Sequence, residues 1–253
     1  MDRWWRIIVP TLAVCIFLGI WQLSNGLFGV PVYLLPRPTD FLGEFIWNHA
    51  VIWRNAIATS SIILGGFVIG TAVAIPLALL IVGSTFLQRG LYPLLVILQI
   101  APKTIVAPLL IVWFGTGSAS KLMLTTAMTF FPILVDSMTG FRAVDPRLYY
   151  LSRTMGATQI QTFFRIRLPA AMPHIFSGLK IGMVSAVTGS MVVEYIGSNN
   201  GLGYLTLYAL SHFDMPLMFA AILATALVGL VFNAALVSAE RLLMPWVKND
   251  RED

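Results

Sequence analysis

Residues 150–169 read Tyr-Leu-Ser-Arg-Thr-Met-Gly-Ala-Thr-Gln-Ile-Gln-Thr-Phe-Phe-Arg-Ile-Arg-Leu-Pro, a basic, mostly polar segment wedged between long apolar runs. What surrounds it decides the fold. Of 253 residues 58% are hydrophobic and only 11% charged, against about a quarter charged in a soluble domain. The chain therefore reads as an integral membrane protein. A polar island in its middle implies that something outside the bilayer grips it.

Outward from that island, apolar runs fall near residues 4–23, 57–82, 91–114, 122–140, 170–196 and 217–243. A span needs about 20 apolar residues, so the expected architecture is an all-α integral membrane bundle of about six transmembrane helices in a single domain, 1–253. The first run lacks a small-residue cleavage site before Leu27 and Phe28 and reads as an uncleaved span. Phe41 to Trp53 is too short and too polar to cross, with Glu44, Asn48 and His49 among its apolar residues. It is expected as an amphipathic helix at the outer interface. No internal repeat relates the halves.

Basic residues set the orientation. With the N-terminus inside, inner segments carry Arg3, Arg6, Arg89, Arg142, Arg147, Arg153, Arg165, Arg167, Arg241, Lys248 and Arg251, and outer ones only Arg37, Arg54 and Lys121. The positive-inside bias then places segment 143–169 and both termini in the cytoplasm, and the Gly-rich connection 197–216 outside. It also accounts for the pI near 9.6 without nucleic acid.

Within the central segment, Leu148, Leu151, Met155 and then Ile160, Phe163, Phe164 recur at helical spacing. This predicts two short amphipathic helices broken at Gly156, with Pro169 opening the next span. The segment resembles the cytoplasmic signature of ATP-binding-cassette importer permeases, Glu-Ala-Ala-x3-Gly-x9-Ile-x-Leu-Pro. Gly156, Ile166, Leu168 and Pro169 fall in register, whereas Tyr150, Leu151 and Ser152 stand where the family has Glu-Ala-Ala. Leu35-Pro-Arg-Pro-Thr, the stretch from Ala101-Pro-Lys to Phe114-Gly-Thr-Gly, and Val193-Glu-Tyr-Ile-Gly-Ser-Asn-Asn-Gly-Leu-Gly-Tyr are similar to the nitrate, sulfonate, taurine and bicarbonate branch. That branch also includes importers of pyrimidine precursors and flavins.

The resemblance implies a bacterial inner-membrane permease working as a homodimer, with two ATPase subunits docked beneath and an extracytoplasmic binding protein delivering a small polar or anionic solute. Arg153, Thr154, Met155, Gly156, Ala157, Thr158, Gln161, Phe164, Ile166, Leu168 and Pro169 would couple the chain to its ATPase. ATP and Mg would sit on that partner. The chain has no GxxxxGK[ST] loop, no HExxH helix and no convergent Ser/His/Asp set, so no catalytic or metal role is expected of it.

Charges within the spans mark a candidate passage, because one at mid-bilayer costs about 2.5–3.5 kcal/mol on insertion scales and must face protein or water. Lys103 follows Pro102 and shares a helical face with Gln99, in a span that two prolines should kink or break. Lys180, Met183, Val187, Ser190, Met191 and Glu194 form one stripe of the fifth span. That stripe either lines the passage or is core packing, with Lys180 then bridging to Asp136. Gly197, Gly201 and Gly203 either form an outer gate or a plain turn. The reading from a different class is a stand-alone channel or ion-coupled carrier that uses these charges directly.

Overall fold

The computed structural model describes residues 2–29 and 31–246, and every regular element among them is helical. The inner basic residues Lys248 and Arg251 lie outside the described residues. Helix α1 covers Asp2–Phe28, α2 Pro38–Trp47, α3 His49–Gly83, α4 Thr85–Ile100, α5 Lys103–Phe114 and α6 Ser118–Arg142. After the central segment come α7 Pro146–Thr154, α8 Gln159–Thr162, a π turn Phe163–Arg167, α9 Leu168–Gly197, α10 Leu202–Ser211 and α11 Met215–Leu243.

Among the described residues α3, α6, the continuous run 159–197 and α11 are each long and apolar enough to cross a bilayer, and α4 with α5 passes the same test only as a pair bent between them, a broken span or a re-entrant loop. Thr11–Leu23 is the apolar stretch of α1. Its side chains from Thr11 to Ile20 are exposed, as expected of a helix bathed in lipid. Toward its end α1 engages the bundle, where Trp21 packs on Phe41 and Phe219 with ring centroids 5.5 and 5.8 Å apart.

Three boundaries differ from the sequence expectation. His49–Trp53 belongs to α3 and not to the interfacial helix, which ends at Trp47. Asn48 turns the chain, and α3 then runs on to Gly83 as one helix that carries Pro76 inside it. The span over 91–114 is two helices meeting at 91°. Pro102 cannot donate to the preceding turn, so the ladder stops at Ala101. Pro169, finally, lies in the first turn of α9 as expected, but no break precedes it. Helix runs through from Gln159, and the π turn at 163–167 widens the backbone just ahead of the proline ring, where an α-turn would drive the ring into a carbonyl.

The centre is built by close approach of small residues, the usual means where apolar burial does not favour protein over lipid. A Cβ at Gly66 would lie 2.6 Å from Thr125 Cβ, one at Gly140 2.8 Å from the Ala171 carbonyl oxygen, and one at Gly178 2.8 Å from Asp136 Cβ. These contacts lock α3 to α6 and α6 to α9. Ile63, Ile133, Leu134 and Ala186 fill the core between the three helices.

Candidate coupling segment and passage

Local chemistry shapes the central segment. Asp145 caps α7 by accepting from the Arg147 amide at 2.9 Å. At the other end Gly156 N–H donates to Arg153 O and Ala157 N–H to Ser152 O, each at 3.0 Å. This pair of bonds is a Schellman stop, which needs a left-handed residue. Gly156 provides it at φ +76°. Thr158 and Gln161 then cap each other reciprocally and start α8. The two halves are pinned where buried Thr162 donates to Ser152 Oγ at 3.2 Å.

The result is a bent pair of short helices whose tip is apolar and uncovered. Met155 is 78% exposed, Tyr150 and Ile160 each 71%, and Phe164 61%. Arg153, Thr154 and Gly156 are exposed beside them, as are Thr158 and Gln161, and Ala157 is half-buried. Leu168 instead packs on the bundle core, and Ile166 and Pro169 are half-buried. Those three anchor the segment and do not present it. Tyr150 and Ile160 are tip residues missing from the expected coupling set; the helical spacing of apolar residues marks Ile160, and nothing in that spacing marks Tyr150.

The stripe on α9 is turned inward. Lys180 pairs with Glu240 of α11, correcting the expected bridge to Asp136. Ser190 is fully buried and donates to Val187 O at 2.9 Å. Met191 is half-buried against Thr225, and with Met183, Val187 and Gly229 it borders a shallow apolar groove of about 330 Å³ between α9 and α11. Glu194 is 1% exposed and does not stand at an open mouth.

The face of α9 that remains open carries His174, Ser177, Ile181, Val184 and Thr188. On α6, half-buried Asp136 accepts a hydrogen bond from Ser177 and lies beside His174. From the sequence Asp136 is expected either to pair with Lys180 or, with Lys103, Lys180 and Glu194, to be a working charge of a channel or carrier. Lys103 donates to Gln99 O at 2.9 Å and sits 4.7 Å from the Phe131 ring centroid. It therefore satisfies a carbonyl left free by the α4–α5 break, beside exposed Gln99 and Pro102.

The outer glycines build a clasp. Both carboxylate oxygens of Glu194 accept from Thr59, at 2.8 and 3.0 Å, and Oε2 also accepts from the Gly203 amide at 3.0 Å. Leu202 N–H donates to Thr59 Oγ1 at 2.7 Å, and Gly201 N–H to Asn55 Oδ1 at 2.8 Å. Lys121 donates to the Asn200 side chain at 2.6 Å. Gly201, at φ +107°, lies so close that a Cβ would fall on the Glu194 carboxyl group. Gly197 is seated on Ile111. The connection is thus a folded element: α10 is held to α3 and α9 by bonds to one buried carboxylate.

Apolar helices long enough to cross a bilayer, with a bent polar-and-apolar helix pair between two of them, define a membrane-embedded protein. The sequence profile described as "binding-protein-dependent transport system inner membrane component" matches residues 66–249. Over 98% of this chain and 99% of the relative, identity to the formylaminopyrimidine transport permease protein ThiX of Halalkalibacterium halodurans is 35%. The riboflavin transport system permease protein RibX of Chloroflexus aurantiacus is 33% identical over 96% of this chain and 91% of its own. For the putative aliphatic sulfonates transport permease protein SsuC of Bacillus subtilis the values are 30%, 93% and 86%. The fold matches a chain of the methionine ABC transporter MetNI, crystallised in inward-facing conformations, with TM-score 0.58 and 18% identity over 74% of this chain and 97% of that one. The chain belongs to the binding-protein-dependent transport system inner-membrane component family and is an ABC transporter permease.

Proposed function

We propose that this permease is the passage-forming half of a homodimeric ATP-driven importer, with segment 145–167 on the cytoplasmic side as the ATPase-docking element. The observation that carries this reading is the exposed apolar tip at Tyr150, Met155, Ile160 and Phe164, held out by the Gly156 stop. A surface of this kind in water calls for a protein partner. Both termini lie inside, by the distribution of basic residues. The ion-coupled alternative is disfavoured because, of the four charges it would use, Lys103 and Lys180 are each bonded within the chain and Glu194 is locked into the clasp, which leaves Asp136 alone.

Orientation has a direct test. In a Cys15→Ser background, which removes the one native thiol, Met155→Cys is expected to react with a membrane-impermeant maleimide in inverted vesicles and not in intact cells. Labelling of intact cells would reverse the topology.

The solute class follows from which intramembrane charge is left available. Glu240 is paired with Lys180 and Glu194 is enclosed, but Asp136 keeps acceptor capacity beyond its bond from Ser177. A carboxylate of this kind favours solutes with N–H donors and repels sulfonates. Of the relatives, the formylaminopyrimidine permease fits this chemistry better than the sulfonate one. A hydrogen bond to a charged group contributes about 1.5–3 kcal/mol. In the complete transporter, Asp136→Asn is therefore expected to lower uptake of a labelled formylaminopyrimidine about tenfold or more. Unchanged uptake, or wild-type preference for an alkanesulfonate, would contradict the assignment.

A further inference from the structure

Between the end of α3, the start of α4 and the folded-back coupling segment lies a cleft of about 740 Å³. Leu80, Leu87 and Phe163 give it an apolar floor, and Arg153, Arg167 and Tyr149 a polar rim. It occupies the level where the apolar run of α3 ends at Gly83 and that of α9 begins, the boundary between hydrocarbon and headgroups.

The charges on this rim are uncompensated. No acidic residue lines the cleft, and among the described residues neither arginine forms a salt bridge. The Nε of Arg167 is buried with no hydrogen-bond partner. The Arg167 guanidinium lies 5.7 Å from the Phe141 ring centroid, a contact that uses none of its donors. The buried Nε is shut off from the cleft, but the two arginines line it with no counter-charge, and a phosphodiester supplies the acceptors and the charge that are missing.

We propose that this cleft binds an anionic phospholipid, with the headgroup phosphate between Arg153 and Arg167 and the acyl region along Leu80, Leu87 and Phe163. The apolar floor is what selects a lipid over free phosphate, which would leave that surface wet. The bound lipid ties α7 and α8 to the inner ends of α3 and α4; of the docking tip Tyr150 lines the cleft, while Met155, Ile160 and Phe164 stay free outside it. The coupling segment thereby becomes sensitive to the composition of the inner leaflet.

The test compares purified wild-type transporter with Arg153→Gln/Arg167→Gln and Arg153→Lys/Arg167→Lys variants. Each is equilibrated with mixed micelles of phosphatidylglycerol or phosphatidylcholine, and retained lipid is counted by mass spectrometry. Near an anionic headgroup each arginine contributes about fivefold in affinity, so the double glutamine variant should retain phosphatidylglycerol about 25-fold more weakly. The lysine variant, which keeps both charges, should stay within a few-fold of wild type and serves as the control for folding. Equal retention of the two lipids by wild type, or undiminished phosphatidylglycerol on the glutamine variant, overturns the proposal. If inorganic phosphate displaces phosphatidylglycerol at millimolar concentration, the site is a phosphate site and the lipid assignment fails.

Discussion

Glu194→Ala is expected to destabilise the protein by about 2–6 kcal/mol, the cost of leaving two buried neutral donors unsatisfied at about 1–3 kcal/mol each. The carboxylate is 1% exposed and accepts from Thr59 and the Gly203 amide. Without it, the hydroxyl of Thr59, itself fully buried, and the Gly203 N–H lose their acceptor together. A vacancy also opens beneath Gly201, whose backbone is pressed against the carboxyl group. The loss should concentrate at α10, which reaches α3 and α9 through these bonds. Glu194→Gln keeps the volume but puts an NH2 among donors, and should cost about 1–3 kcal/mol for the group left unsatisfied. Denaturant unfolding in detergent, with proteolysis at residues 198–201 as the local readout, measures both. Variants within 0.5 kcal/mol of wild type would mean that the clasp does not hold the outer element.

The second large effect is expected at the opposite end. Met155→Asp/Ile160→Asp places carboxylates on two side chains that are 78% and 71% exposed in the isolated chain. If an ATPase covers them, each loses about 1.5–3 kcal/mol of apolar burial, and the new charges add desolvation. A combined loss of about 4 kcal/mol weakens docking roughly a thousandfold. Neither residue packs on the bundle core, so the variant should fold and insert normally, as measured by yield and unfolding midpoint. ATP-driven uptake should vanish. Retained uptake would remove the docking role of the tip.

What could be read in advance divides along physical lines. Apolar runs specify spans because the bilayer imposes their length, and α3, α6, α9 and α11 fall where hydropathy puts them. The Gly156 break was equally legible, since a Schellman stop is local chemistry. Partner choice across helices was not. Lys180 lies as plausibly near Asp136 as near Glu240 in a one-dimensional reading, and only the packing of α9 on α11 decides. Glu194 shows the same limit. Its place on a stripe with Met183 and Ser190 says which face it occupies, but not whether that face meets a passage or a folded-back loop. The glycines at 201 and 203 carried the clue, as residues small enough for a backbone to close over a carboxylate. The run of helix through Pro169 was hidden because a π turn leaves no mark in composition.

That this permease draws on ATP through segment 145–167, as proposed, is tested most directly by reconstitution with a cognate ATPase and binding protein, with uptake and ATP hydrolysis measured in the same liposomes. The expected result is uptake that requires internal ATP, hydrolysis stimulated by the loaded binding protein, and loss of both in Met155→Asp/Ile160→Asp. Uptake driven by an ion gradient without ATP, or coupling that survives the double substitution, would contradict it.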